Sequence, residues 1–141
     1  MELLLADLIE SYIFLEKSSE RLAVAQSLYN NAYYEDAVSR AYYAMFFAAR
    51  ALLLTQNISP KTHRGVITAV SERFVKTGLL SHNIWEFLAA GETIREEADY
   101  SSERRIDRIR SYTTLEHAKV FVETCSQILS LINKNYQNSG E

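Results

Sequence analysis

Apolar residues recur every three or four positions along almost the whole chain, a period that predicts helices throughout. Between Tyr33 and Leu54, Val38, Ala41, Met45, Ala49 and Leu52 trace one packing face. Tyr43, Phe46, Phe47 and Leu54 load a second face, leaving little of that segment for water. A helix that is apolar nearly all round belongs at the centre of an assembly. The same segment carries Ser39, Arg40, Arg50 and four tyrosines, which need partners wherever they are buried. Arginine and tyrosine interrupt it too often for a membrane span.

Five helices follow from this pattern. The first covers about residues 2 to 29, with Leu5, Leu8, Tyr12, Leu15, Leu22 and Leu28 at helical spacing. Asn30 and Asn31 suit a tight turn, because asparagine tolerates left-handed backbone. The second helix spans about 34 to 56. Asn57 to Pro60 breaks it, with Ser59 as the next N-cap and Pro60 in the first turn. The third runs from Pro60 to about Thr77, where Gly78 is the expected stop. The fourth spans about 83 to 99, opened by an Asn83–Glu86 capping box. Its stripe is Ile84, Phe87, Leu88, Gly91, Ile94 and Ala98, and Gly91 implies close approach of a neighbouring helix.

Residues 100 to 112 read as a long polar connection. Thr113 with Glu116 then caps the fifth helix, whose stripe is Leu115, Ala118, Val122, Cys125, Leu129 and Ile132. The tail over 133–141 is expected to fray. Two long helices joined by so short a turn lie antiparallel, and the fourth and fifth close a bundle around them. The expected fold is all-α: an antiparallel four-helix up-and-down bundle with an additional short helix, forming one domain over 1–141.

Composition agrees with this reading. One proline and four glycines leave few breaks in 141 residues. A net charge of −3 argues against a generic nucleic-acid binder, although charge can be unevenly distributed. The single cysteine, Cys125, rules out an internal disulfide, fits a reducing compartment and sits on an apolar stripe as a small core residue. The N-terminal apolar run is too short for a signal peptide and no stretch reaches membrane-spanning length. A soluble, cytoplasmic protein is expected, with no membrane partner.

Candidate chemistry is sparse. His63, His82 and His117 stand far apart without ligand spacing, so neither a metal nor any other cofactor is expected. His63 lies in the first turn of the third helix. It reads either as a phosphate or proton-transfer group or as a partly buried histidine bonded to a carbonyl. Arg95 and Asp99, four apart, share a helix face. They are either an ordinary surface pair or an arginine oriented for a phosphate. In the connection, Arg104, Arg105, Arg108 and Arg110 stand near Tyr100 and Tyr112, a composition that holds RNA phosphates and stacks bases. A solvated loop is the competing explanation.

Three stretches together carry a family resemblance: the hairpin LAVAQSLYNNAYYEDAVSRAYYAMFFAARALL, KTHRGV opening the next helix, and IREEADY ending the fourth. Over about Leu15 to Tyr136 the chain resembles the HEPN (higher eukaryotes and prokaryotes nucleotide-binding) domain. The resemblance implies a small helical bundle, a homodimer, and a minimal nucleotidyltransferase partner in a toxin–antitoxin-type pair. It also implies a nucleotide or RNA ligand in a cleft lined by Arg95, Asp99, Tyr100, His63 and Tyr43. Many such toxins are metal-independent ribonucleases whose motif is an arginine followed, after four to six residues, by a histidine. Here Arg95 matches the arginine, while Tyr100 stands where the histidine would. A binding module is therefore the leading expectation. The alternative is an endoribonuclease using Arg95 with His63 in place of the missing motif histidine.

Overall fold

The computed structural model describes residues 3–100 and 106–139. These contain five α-helices and no strand: α1 Leu5–Asn30, α2 Tyr34–Leu54, α3 His63–Val70, α4 His82–Tyr100 and α5 Arg108–Ser139. Contacts fix the directions. Ser18 Oγ donates to the Ala44 carbonyl at 2.6 Å and Tyr29 packs on Tyr34, so α2 returns antiparallel along α1. Arg95 on Tyr42 and Asp99 on Ser39 set α4 antiparallel to α2. Phe87 on His117 and Glu97 on Arg110 set α5 antiparallel to α4. The result is an up-and-down four-helix bundle. α2 and α5 also touch across the bundle, so its section is a rhombus with α2 on the short diagonal.

This explains why α2 is apolar nearly all round: it meets α1, α3, α4 and α5. Ala41, Ala44, Met45, Ala48, Ala49, Leu52 and Leu53 are all fully buried. The many alanines let neighbouring backbones approach. At Gly91 of α4 the approach leaves no room for a side chain, since an added Cβ would lie 2.6 Å from Met45 Cε and 3.3 Å from Tyr42 Cδ1.

Several boundaries differ from those expected. The α1–α2 turn is made left-handed by Ala32 (φ 66°), not by the asparagines. Tyr33 N–H reaches back to the Leu28 carbonyl, while the Asn31 side chain donates to Ser27. Asn57 (φ 58°) and Gly78 (φ 85°) take the same conformation where the next segments turn. Thr62, not Ser59, caps α3, its hydroxyl accepting from Gly65 N–H at 2.9 Å, and residues 71–75 continue it as a π-helical turn. Ser81, not Asn83, accepts the Ile84 N–H and caps α4.

The largest correction concerns the 100–112 connection, because α5 already begins at Arg108. Asp107 accepts the Arg110 N–H at 2.9 Å, and the Arg110 guanidinium pairs with Glu97 of α4. Those two partners hold the first turn, so Thr113 lies inside the helix and is not its cap. At the far end, α5 continues past Asn133 to Ser139. Arg104 and Arg105 lie outside the described residues.

Candidate functional site

Three elements converge midway along α2. From α4 come Glu92, Arg95 and Asp99, spaced three and four apart so that they share one face. α2 contributes Ser39, Tyr42 and Tyr43, and the first turn of α3 contributes His63. Residue types and motifs single out Arg95, Asp99, His63 and Tyr43, and the fold brings these four together. They do not single out Glu92, although the Glu92–Arg95–Asp99 spacing is a usable signal.

Arg95 is the centre of the cluster. It is 7% exposed, which an arginine tolerates only when its charge and donors are matched. Glu92 Oε1 accepts from Nε at 2.8 Å and from Nη2 at 2.6 Å, and Asp99 Oδ2 accepts from Nη1 at 2.9 Å. Ser39 Oγ donates to the other Asp99 oxygen at 3.0 Å. The guanidinium carbon lies 5.3 Å from the Tyr42 ring centre and 5.8 Å from that of Tyr43. Burial pulls the guanidinium pKa down. The Glu92 bond and charge outweigh it, with Tyr100 and Tyr43 contributing, and raise it above its ordinary value.

His63 joins through Tyr42. The Tyr42 hydroxyl lies 2.7 Å from His63 Nδ1, and that nitrogen is 3.7 Å from Glu92 Oε2. Phe46 packs on the imidazole with ring centres 4.5 Å apart. Burial, then the Glu92 charge, pushes the Tyr42 phenol well above its ordinary value, with Arg95 opposing. Tyr42 therefore keeps its proton and has one to give, to His63 or to Glu92. When His63 accepts at Nδ1, its proton sits on Nε2. When Tyr42 turns to Glu92, Nδ1 can carry the proton and Nε2 is left with a free lone pair. The Tyr42 hydroxyl thus links the imidazole to a carboxylate that already neutralises Arg95.

Asp99 stands at the border with solvent. An open cleft of about 570 Å³ begins there, lined by Val24, Leu28, Asp36, Ser39, Arg40 and Tyr43. Exposed Arg40 supplies that cleft with a cation. Tyr100, 78% exposed, reaches Arg95 from the rim. A larger cavity of about 900 Å³ lies elsewhere, among Leu3, Leu4, Leu5, Phe74, Ile132 and Tyr136, and holds none of these charged groups.

The other histidines do not join. His82 pairs with Glu86 at 2.6 Å, and His117 stacks on Phe87 with ring centres 3.9 Å apart. Cys125 is fully buried, which pushes its thiol pKa up and leaves it inert. Among the described residues, no three His, Cys, Asp or Glu side chains converge as a metal site, and no helix is long and apolar enough to cross a membrane.

Comparison with known proteins agrees with this architecture. The sequence profile of the HEPN domain matches residues 11–135. Two proteins of Methanocaldococcus jannaschii, each named "putative toxin", are similar along most of their length. One is 35% identical over 86% of this chain and 81% of its own. The other is 34% identical over 87% of this chain and 91% of its own. A crystal structure from Thermus thermophilus superposes with a TM-score of 0.72 over 84% of this chain and 97% of that one, at 14% identity, which speaks to the fold alone.

Proposed function

The chain belongs to the HEPN domain family, and on that premise we propose that it is a toxin-type module that binds a nucleotide or RNA at Arg95. The proposal includes a homodimer and a minimal nucleotidyltransferase as partner in a toxin–antitoxin-type pair, in the cytoplasm. The observation that carries it is a buried arginine held ready at the edge of a cleft. Of its two carboxylates, Glu92 is well enclosed, whereas Asp99 is 36% exposed and easily displaced. A phosphate entering past Arg40 takes the place of Asp99 on Nη1, while Glu92 and the two tyrosines keep the guanidinium plane fixed. Displaced Asp99 and Ser39 are then free to bond ribose hydroxyls. Nucleotide titration tests this: Arg95→Ala should abolish binding. Unchanged affinity for both nucleotide and transferase would remove Arg95 from the site.

One observation favours a second reading, that of a metal-independent endoribonuclease. Although Tyr100 replaces the motif histidine, His63 stands one carboxylate away from Arg95. Its Nε2 lone pair would take the ribose 2′-hydroxyl proton as the 2′-oxygen attacks phosphorus. Arg95 would neutralise the developing phosphorane, and the 5′-oxygen would leave with that proton as the P–O5′ bond breaks. Cleavage of single-stranded RNA should then persist in EDTA and vanish in Arg95→Ala and His63→Ala. RNA left intact by the wild-type protein over hours rejects this reading.

A further inference from the structure

Next to the Arg95 site, α1 and α2 carry a strip of alternating cations and aromatic rings. The Phe14 and Phe47 rings lie 5.9 Å apart at 18°, and Phe46 continues the row at 6.1 Å from Phe47. Arg50 lies 4.8 Å from the Phe14 ring centre, Arg21 5.1 Å from that of Phe47, and Lys17 5.7 Å from Phe14. Phe46, at the end of the row, is the ring that packs on His63.

Two features set this strip apart from ordinary surface charge. Lys17 and Arg50 have no ion pair among the described residues, and Arg21 only reaches Glu20 at 3.9 Å. On a chain of net charge −3, these three cations gather over one row of rings, with Glu16 and Glu20 their neighbours in sequence. The rings are half-buried; Lys17, Arg21 and Arg50 cover Phe14 and Phe47, while Phe46 is also covered by His63. At an exposed site that cover is weak compared with a base stacked on the same ring while the cation moves to the adjoining phosphate. Cations interleaved with rings form the usual platform for a single strand.

We propose that the strip of Lys17, Arg21 and Arg50 with Phe14, Phe46 and Phe47 is a binding track for single-stranded RNA that delivers the strand to His63 and Arg95. That the strand is RNA rests on the function proposed above. The track itself rests on the strip. Its chemistry requires phosphates spaced along a chain and unpaired bases, so a mononucleotide fills only the Arg95 end.

Fluorescence anisotropy with a labelled oligouridylate of about ten nucleotides, within the range such platforms cover, tests the track across a salt series. The triple variant Lys17→Gln/Arg21→Gln/Arg50→Gln should flatten the plot of log affinity against log salt by about 2, since each phosphate contact on a single strand contributes about 0.7. Phe47→Leu keeps an apolar side chain but removes the stacking face, and should weaken the oligonucleotide about tenfold. Neither should alter binding of adenosine 5′-monophosphate. Unchanged oligouridylate affinity and salt slope in the triple variant overturn the track, including the case in which that variant loses a protein partner instead. Lys17 is exposed, and Arg21 and Arg50 are partly exposed and outside the buried core, so this variant decides the matter even if Phe47→Leu misfolds. Arg95→Ala separates the two proposals. If it leaves the mononucleotide affinity unchanged while the triple variant loses the oligonucleotide, the Arg95 site fails and the track stands.

Discussion

Among single residues, Asp99 has the most informative charge. It holds Arg95 Nη1 at 2.9 Å, but it is also a like charge for any arriving phosphate. Asp99→Asn keeps an oxygen for Arg95 and removes the repulsion, so it should tighten nucleotide or RNA binding several-fold in titration calorimetry. Weaker binding would mean that the bonds of the carboxylate to the ribose outweigh its repulsion of the phosphate. His117 gives a separate prediction. Burial against Phe87 lowers its pKa below the ordinary 6.5. The unfolded chain therefore takes up this proton first as the pH falls. The contribution of His117 is complete above pH 6.5 and is lost as the pH drops through that value toward the lower folded one. Melting temperatures should fall as the pH drops below about 6.5, and His117→Phe should flatten that fall. Glu97, lowered first by its Arg110 hydrogen bond, acts in a separate window, below its ordinary 4.5.

Among the helices, the α2–α4 contact sets the position of everything at the site. Gly91 permits it, because Met45 and Tyr42 occupy the space a side chain would need. The terminal methyl of Met45 can move aside, so Gly91→Ala should be nearly neutral, its helix propensity gain of about 1 kcal/mol offsetting the repacking. Gly91→Val cannot be absorbed in this way. It should cost about 1–3 kcal/mol in urea denaturation and disturb the Tyr42–His63 bond, since Tyr42 is the next obstacle. A fully stable Gly91→Val protein would show that the two helices separate more easily than their packing implies. The α5 start illustrates the opposite situation. Its first turn is polar and looks like loop, and it is helical because Asp107 and Glu97 supply local and distant partners.

For the whole molecule, the family and the surface point beyond the single chain. Leu5, Ile9 and Ile13 form a row on α1, each half exposed or more, alongside an otherwise complete core. Apolar rows of this kind mark interaction surfaces. Sedimentation velocity should give the mass of a homodimer, and a monomer at micromolar concentration would remove the dimer from the proposal. Co-expression with a minimal nucleotidyltransferase tests the remaining partner, which should co-purify with the protein.

The local pattern was enough to define the helices, their antiparallel order and the central place of α2, because amphipathic period and turn length act over a few residues and need no distant partner. It also singles out Arg95, Asp99, Tyr100, His63 and Tyr43 as candidates, through their residue types and the family motifs. It missed the caps at Thr62, Ser81 and Asp107 and the left-handed Ala32, where several polar or small residues were equally suitable. The role of Glu92 and the meeting of His63 with Arg95 needed the packed bundle. Those contacts join residues about thirty positions apart on different helices, and their geometry depends on how closely α4 approaches α2 at a glycine.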